Sequence, residues 1–287
     1  MAWPIYFTID IFPIMPELPE VETTKQGLMP LLKQTVTAIH VRQPRLRQLV
    51  SDNLSDIVGQ QCINLSRRGK YIILTTEKGC ALIHLGMSGS LRLCAPTEDY
   101  RKHDHVILNF NNQLSLRFHD PRRFGVFLWV TTPILEHPLL ACLGVEPLTE
   151  QFDGTYLFNR SRQKSIAIKS FIMDSHVVVG VGNIYANEAL FAAGIHPLHP
   201  AKHIDLNAYL RLAQHIKTIL ASAIERGGTT LRDFVNSQGE MGYFQQELSV
   251  YGKEGKPCII CHSPLQLIRI NNRSTIYCSQ CQPAFSA

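Results

Sequence analysis

The residues best equipped for chemistry are Met15-Pro16-Glu17 and four cysteines near the end of the chain. If translation begins at Met15 and that methionine is lost, Pro16 becomes a terminal secondary amine with a free lone pair. Inside a chain the same nitrogen is an amide and attacks nothing. An α-amine with a pKa near 8 is roughly 10% neutral at pH 7, against about 0.04% for an ordinary lysine. Attack of such an amine on a sugar carbon gives an iminium that is cationic at every pH and serves as an electron sink for elimination. Glu17 and Glu20 put carboxylates beside it for acid–base work. The bland reading of both is the acidic first turn of a helix.

Cys258 and Cys261 form one C-x-x-C and Cys278 and Cys281 another, with sixteen residues between the pairs. That spacing predicts a structural Zn2+ held by four thiolates. A redox pair needs only one C-x-x-C. The intervening QLIRINNRSTIYC reads as two strands joined at Asn271 and Asn272, with Arg269 and Arg273 at or near the tip. A zinc-stapled hairpin showing arginines is a candidate nucleic-acid reader, or a plain solvated turn. Cys62, Cys80, Cys94 and Cys142 lie in apolar runs and are expected to be buried.

These groups need elements to hold them. Pro19, Glu20 and Glu22 suit the first turn of a helix that Pro30 ends or kinks. Between about 35 and 130, short apolar or alternating runs broken by Gly, Asn, Asp and Pro predict a β-sandwich or barrel. Residues 131–150 read as a linker. ANEALFAAG and LNAYLRLAQHIKTILASAIERGG read as helices closed by Gly194 and by Gly227 and Gly228. Gly180, Gly182 and Asn183 stand before the first of these, where an Asn-capped amino terminus offers an anion site or simply a cap. Basic runs include Arg67, Arg68 and Lys70; Arg101, Lys102 and His103; Arg122 and Arg123; and Arg160, Arg162, Lys164 and Lys169. Glycine-hinged Met87 and Phe124 beside them could wedge into a duplex or pack in the core.

At 287 residues with 45% hydrophobic content, the chain is long enough for about two domains. No run of 18 apolar residues is present, which excludes an ordinary membrane-spanning helix. A formal charge of +5 permits a nucleic-acid partner without requiring one. The first fourteen residues are apolar but lack Lys and Arg, so they fail the signal-peptide pattern. Eight cysteines without a signal peptide are better read as intracellular thiols than as disulfides.

Taken in order, MPELPEVET, RRGKYIIL, IHLGMSGSLR, KHDHV, DPRRFG, VGVGNIYANEALFAAGIHP, GGTTLRDF, GYFQQELSVYG and the cysteine pairs resemble the bacterial formamidopyrimidine-DNA glycosylases, also called DNA-(apurinic or apyrimidinic site) lyases. The resemblance runs from Met15 to the final cysteine pair. It implies an α+β multidomain fold: an amino-terminal β-sandwich flanked by helices, then a helical helix–two-turn–helix domain with a carboxy-terminal zinc-finger hairpin. The corresponding divisions are a non-native start extension at 1–15, a catalytic sandwich at 16–132, a linker at 133–150, a DNA-binding domain with a lesion loop at 151–252, and a zinc finger at 253–287.

The implied function is base excision repair of oxidised purines, 8-oxoguanine and formamidopyrimidines, with strand cleavage by β,δ-elimination through a Schiff base. By motif match Pro16 is the nucleophile, Glu17 its acid–base partner and Glu20 a supporting carboxylate. Lys70 serves β-elimination and Arg273 δ-elimination. His103, Arg122, Lys164 and Asn183 contact DNA, while Met87, Arg122 and Phe124 fill the vacated stack. The loop around Gly239 to Tyr243 closes over the everted base. The partner is double-stranded DNA containing oxidised bases, met by a monomer in the bacterial cytoplasm, at the nucleoid. Two alternatives stand beside this: an endonuclease VIII-like glycosylase for oxidised pyrimidines, and a non-catalytic damaged-DNA binder if the extension is retained.

Overall fold

The computed structural model describes residues 15–228 and 247–284. The expectations for the start extension and for the Gly239–Tyr243 loop fall outside these residues.

Chain order begins with helix α1 (Leu18–Gly27) and strands β1 (Val36–Val41), β2 (Asn64–Arg68), β3 (Tyr71–Thr75) and β4 (Cys80–His84). Strands β5 (Ser90–Cys94), β6 (Asp104–Phe110), β7 (Ser115–His119) and β8 (Val126–Val130) follow. They form two antiparallel four-stranded sheets, ordered β1-β6-β7-β5 and β2-β3-β4-β8. Val106, Leu108, Leu116 and Phe118 from the first sheet meet Ile72, Leu74, Ile83 and Phe127 from the second. Val21, Leu28 and Leu31 close one end of this sandwich core. Burial of each such side chain stabilises the fold by about 1.5–3 kcal/mol.

Strands β3 and β4 read as unbroken apolar runs because both their faces are covered. The outer face, with Ile73 and Leu82, packs against Leu140. Leu140 belongs to helix α2 (Pro138–Ala141), so the stretch read as a linker carries structure of its own. Two cysteine expectations are corrected here. Cys62 and Cys80 are buried, but Cys94 is half-buried and Cys142 exposed. Cys94 ends β5, an edge strand, and Cys142 caps the short α2 facing outward.

Beyond lie α3 (Gly154–Ser161), α4 (Ile168–Ile172), α5 (Asn183–Ala193) and α6 (Leu206–Glu225). Helix α5 is buried on nearly every side and ends at Gly194, whose φ of 69° is the left-handed closure glycine provides. Two turns lead to α6, where the Asp205 carboxylate accepts from Ala208 N–H at 2.8 Å. The amphipathic α6 packs on α3, α5 and α1. Strands β9 (Gln266–Ile270) and β10 (Arg273–Tyr277) form the expected hairpin, with Asn271 and Asn272 at φ 49° and 60°. Positive φ at both turn residues is the geometry a two-residue hairpin loop demands. No helix among the described residues is long and apolar enough to cross a membrane.

Candidate active site

Helix α1 places its first residues against the entry of α5. Glu20, in the first turn of α1, accepts the Glu17 N–H at 3.0 Å, which fixes the start of the helix. The Glu17 side chain crosses to the other domain, where it accepts from the amides of Gly182 at 2.8 Å and Ile184 at 2.9 Å. The Tyr185 hydroxyl in turn donates to Glu20 at 2.8 Å. A β-carbon on Gly182 would sit 2.2 Å from the Glu17 carboxyl carbon, so a side chain there would displace the carboxylate from its amides. The anion site expected at this helix entry therefore exists, but the protein's own carboxylate fills it. Asn183 is the first helical residue rather than the cap, which is Gly182. Its side-chain amide donates to Ser274 C=O at 3.1 Å and so ties α5 to the hairpin.

Burial pushes the Glu17 carboxyl up to about 7, against the pull of Lys70 and of the helix amides. Glu20 reinforces the rise. A carboxyl poised there exchanges a proton at neutral pH. Lys70 sits on the turn between β2 and β3, and burial holds its ammonium below the usual lysine range despite attraction from Glu17 and Glu20. Arg273 pushes it down further. The turn itself is fixed by Glu146, which accepts from Gly69 N–H at 2.7 Å and pairs with Arg67 and Arg68.

These groups line one cleft of about 370 Å³. Met15 and Glu17 enter from the start of α1, Lys70 and Met87 from the sandwich, and Asn183 and Arg273 from the second domain. Arg122 reaches the same space. Pro16 is buried directly behind Met15. Phe124 is 44% exposed, which removes the core-packing reading, and the Arg122 guanidinium lies over its ring at 5.1 Å.

His103 lines a separate basic groove of about 360 Å³ with Arg42, Lys102 and Arg123. Lys164 is exposed between α3 and α4, away from the cleft wall.

Three further residues escaped the sequence reading as parts of the site. Lys169, read there as one charge in a basic run, is 1% exposed. Its ammonium donates to Ser274 C=O at 3.0 Å and to the Thr275 hydroxyl at 2.7 Å. Burial drives it down to about 7, with Glu17 opposing and Arg273 assisting. Glu188 accepts from the amides of Ser249, Val250 and Tyr251, which sets Tyr251 on the cleft wall. A lysine closing the largely apolar run SIAIK was the available signal for Lys169; Glu188 and Tyr251 gave none.

The sulfurs of Cys258, Cys261, Cys278 and Cys281 lie within 4.8 Å of one another, an arrangement able to hold a metal ion. Cys258 and Cys281 are 3.8 Å apart and Cys261 and Cys278 3.3 Å, close to the ~3.8 Å separation that a tetrahedral ion with bonds of about 2.3 Å requires. Ile260 N–H points at the Cys258 sulfur at 3.4 Å, as a thiolate would favour.

Comparison with known proteins agrees with this geometry. The family model described as the formamidopyrimidine-DNA glycosylase N-terminal domain matches residues 15–127, and that of the same family's H2TH domain matches 143–235. A formamidopyrimidine-DNA glycosylase of Methylococcus capsulatus is 52% identical over 270 residues, 93% of this chain and 100% of that one. Among solved structures, a wild-type Lactococcus lactis enzyme bound to DNA containing N7-benzyl-Fapy-dG superposes with a TM-score of 0.86 at 33% identity, over 94% of this chain and 100% of that one. The same bacterium's enzyme bound to abasic-site DNA gives 0.86 at 32% identity, over 93% and 100%.

Proposed function

Because the chain belongs to the formamidopyrimidine-DNA glycosylase family, we propose that its excision and strand cleavage run through Pro16, Glu17, Lys70 and Arg273 on the cleft described above. The protein is a DNA glycosylase and abasic-site lyase of base excision repair, and lesion-containing double-stranded DNA is its partner. The single observation that carries the residue assignment is the meeting of Glu17, Lys70 and Arg273 in one cleft whose mouth is Met15.

Pro16 acts once its nitrogen is freed by loss of Met15. The neutral amine attacks C1′ of the damaged nucleotide, forming an N–C1′ bond as the glycosidic bond breaks; the base leaves with the electron pair and takes up the proton shed by the new N–C1′ ammonium, which frees the nitrogen lone pair. Protonated Glu17, with its affinity near neutrality, gives its proton to O4′ as the sugar ring opens to the iminium. Loss of a C2′ proton expels the 3′ phosphate, and Lys70, whose ammonium is weakened by burial, is the group placed to move protons in that step. The Arg273 guanidinium stabilises the 5′ phosphate as the second elimination releases it.

Eversion of the base costs roughly a few kcal/mol. Met87, Arg122 and Phe124 offset it by filling the vacated stack, and His103 and Lys164 hold the flanking backbone. Cys258, Cys261, Cys278 and Cys281 would hold one Zn2+ through four thiolates, a closed coordination shell that would fasten the hairpin carrying Arg273. This reading puts the protein at chromosomal DNA in the bacterial cytoplasm.

Borohydride trapping tests the assignment. A chain begun at Met15 should form a covalent adduct with 8-oxoguanine duplex, and its Pro16→Gly variant should lose adduct and excision while keeping its fold. Full activity in Pro16→Gly, or efficient trapping by a chain that retains residues 1–15, would refute it.

A further inference from the structure

Met87 and Phe124 lie on different turns, one following β4 and the other following β7. To fill a single vacated space they must hold a fixed relation, although neither turn is long enough to be rigid alone. The buried Asp120 supplies that relation. Its carboxylate is fully enclosed and accepts from the Ser88 hydroxyl at 2.8 Å with one oxygen and from Gly125 N–H at 2.7 Å with the other. Ser88 follows Met87, and Gly125 follows Phe124. The Ser88 oxygen also accepts Arg122 N–H at 3.2 Å, so the bridge reaches all three wedge residues through their neighbours.

The backbones touch as well. A β-carbon on Gly86 would stand 2.5 Å from the Phe124 carbonyl carbon and 2.6 Å from Gly125 N, and Gly86 itself has φ 66°. The main chain of Asp120 extends the link to the basic groove: its N–H donates to His103 C=O at 3.0 Å, and its C=O meets the His105 ring at 2.8 Å.

We infer that Asp120 is a positioning residue that clamps the Met87 turn and the Arg122–Phe124 turn into one wedge, registered against His103. The inference rests on the wedge reading of those three side chains. Asp120 itself, wholly buried, touches no DNA. Its contribution is to prevent the turns from separating when the duplex pushes on them, and a displacement of about 1 Å at such a site lowers rates by up to ~100-fold.

The test compares one lesion in two settings: 8-oxoguanine paired with cytosine in a duplex, and the same lesion in a short unpaired bubble, where stacking is already lost. Single-turnover excision by Asp120→Ala should fall about tenfold or more on the duplex and less than about threefold on the bubble. Asp120→Asn keeps an acceptor for Gly125 N–H and should recover most of the duplex rate. Ser88→Ala removes only the bridge, leaves the buried carboxylate with Gly125, and keeps the test alive if Asp120→Ala fails to fold. It should slow the duplex reaction about threefold and leave the bubble reaction unchanged.

Met87→Ala, measured in parallel, separates the inference from its premise. A duplex-specific loss in Met87→Ala together with equal losses on both substrates, or none, in Asp120→Ala and Ser88→Ala overturns the clamp alone. No duplex-specific loss in Met87→Ala overturns the wedge and the clamp with it.

Discussion

In the roles proposed for them, Glu17 and Phe124 would serve the same reaction from opposite physical conditions. Glu17 is 1% exposed, bonded to the amides of another domain, and carries a proton affinity moved from about 4.5 to about 7. Phe124 is 44% exposed, with the cation of Arg122 above its ring. Proton transfer needs a dry environment because a carboxylate in water keeps its ordinary acidity. A wedge needs the reverse, since an aromatic ring gains by leaving water for the interior of a base stack. On that proposal Glu17 would store its free energy in a desolvated carboxyl, and Phe124 in apolar surface left uncovered for a base stack.

If that division is real, damage to the first wall appears in the chemical step and damage to the second in duplex opening. Gly182→Ala gives the largest test. The new methyl would occupy the place of the Glu17 carboxyl, so kcat for excision should fall about 100-fold while Kd for duplex DNA changes less than about threefold. An equal loss of affinity would break the comparison. Cys258→Ser comes next. Loss of one thiolate should release the zinc, loosen the hairpin, and weaken DNA binding about tenfold while Glu17 keeps its amides. Bound zinc measured at one per chain, with unchanged affinity, would remove the structural metal from the account.

Lys70→Met has the smallest expected effect on excision and the clearest sign. The Lys70 charge lowers the proton affinity of Glu17, so removing it raises that affinity above about 7. In the proposed mechanism excision needs protonated Glu17, so it should fail as pH rises through that pKa. The alkaline limb of the single-turnover rate should therefore move to higher pH in the variant. A limb that stays or moves lower would show that Glu17 is not the titrating group.

Local pattern carried much of this into the sequence. Strand β5 and strand β8 could be bounded from alternation and flanking turn residues, and the Asn271-Asn272 turn and the four-cysteine spacing announced the hairpin. Glu17 drew notice for its place beside a proline, but its tie to Gly182 spans 165 positions and no periodicity records it. Lys169 shows the limit from the other side. In a run of lysines and arginines it looks solvated, and only its hydrogen bonds from α4 to Ser274 and Thr275 of β10 reveal a desolvated ammonium. Asp120 likewise passes for a turn residue until the fold sets two glycine-bearing turns around it.

The amide cradle of Glu17 also orders events in time. An emerging chain whose second half has not yet been made holds a proline, a lysine and a glutamate of ordinary acidity, and it lacks the dry pocket that makes the last useful. If Glu17 has the role proposed for it, competence to cut DNA would be withheld until synthesis has passed Tyr185 and the two halves have met.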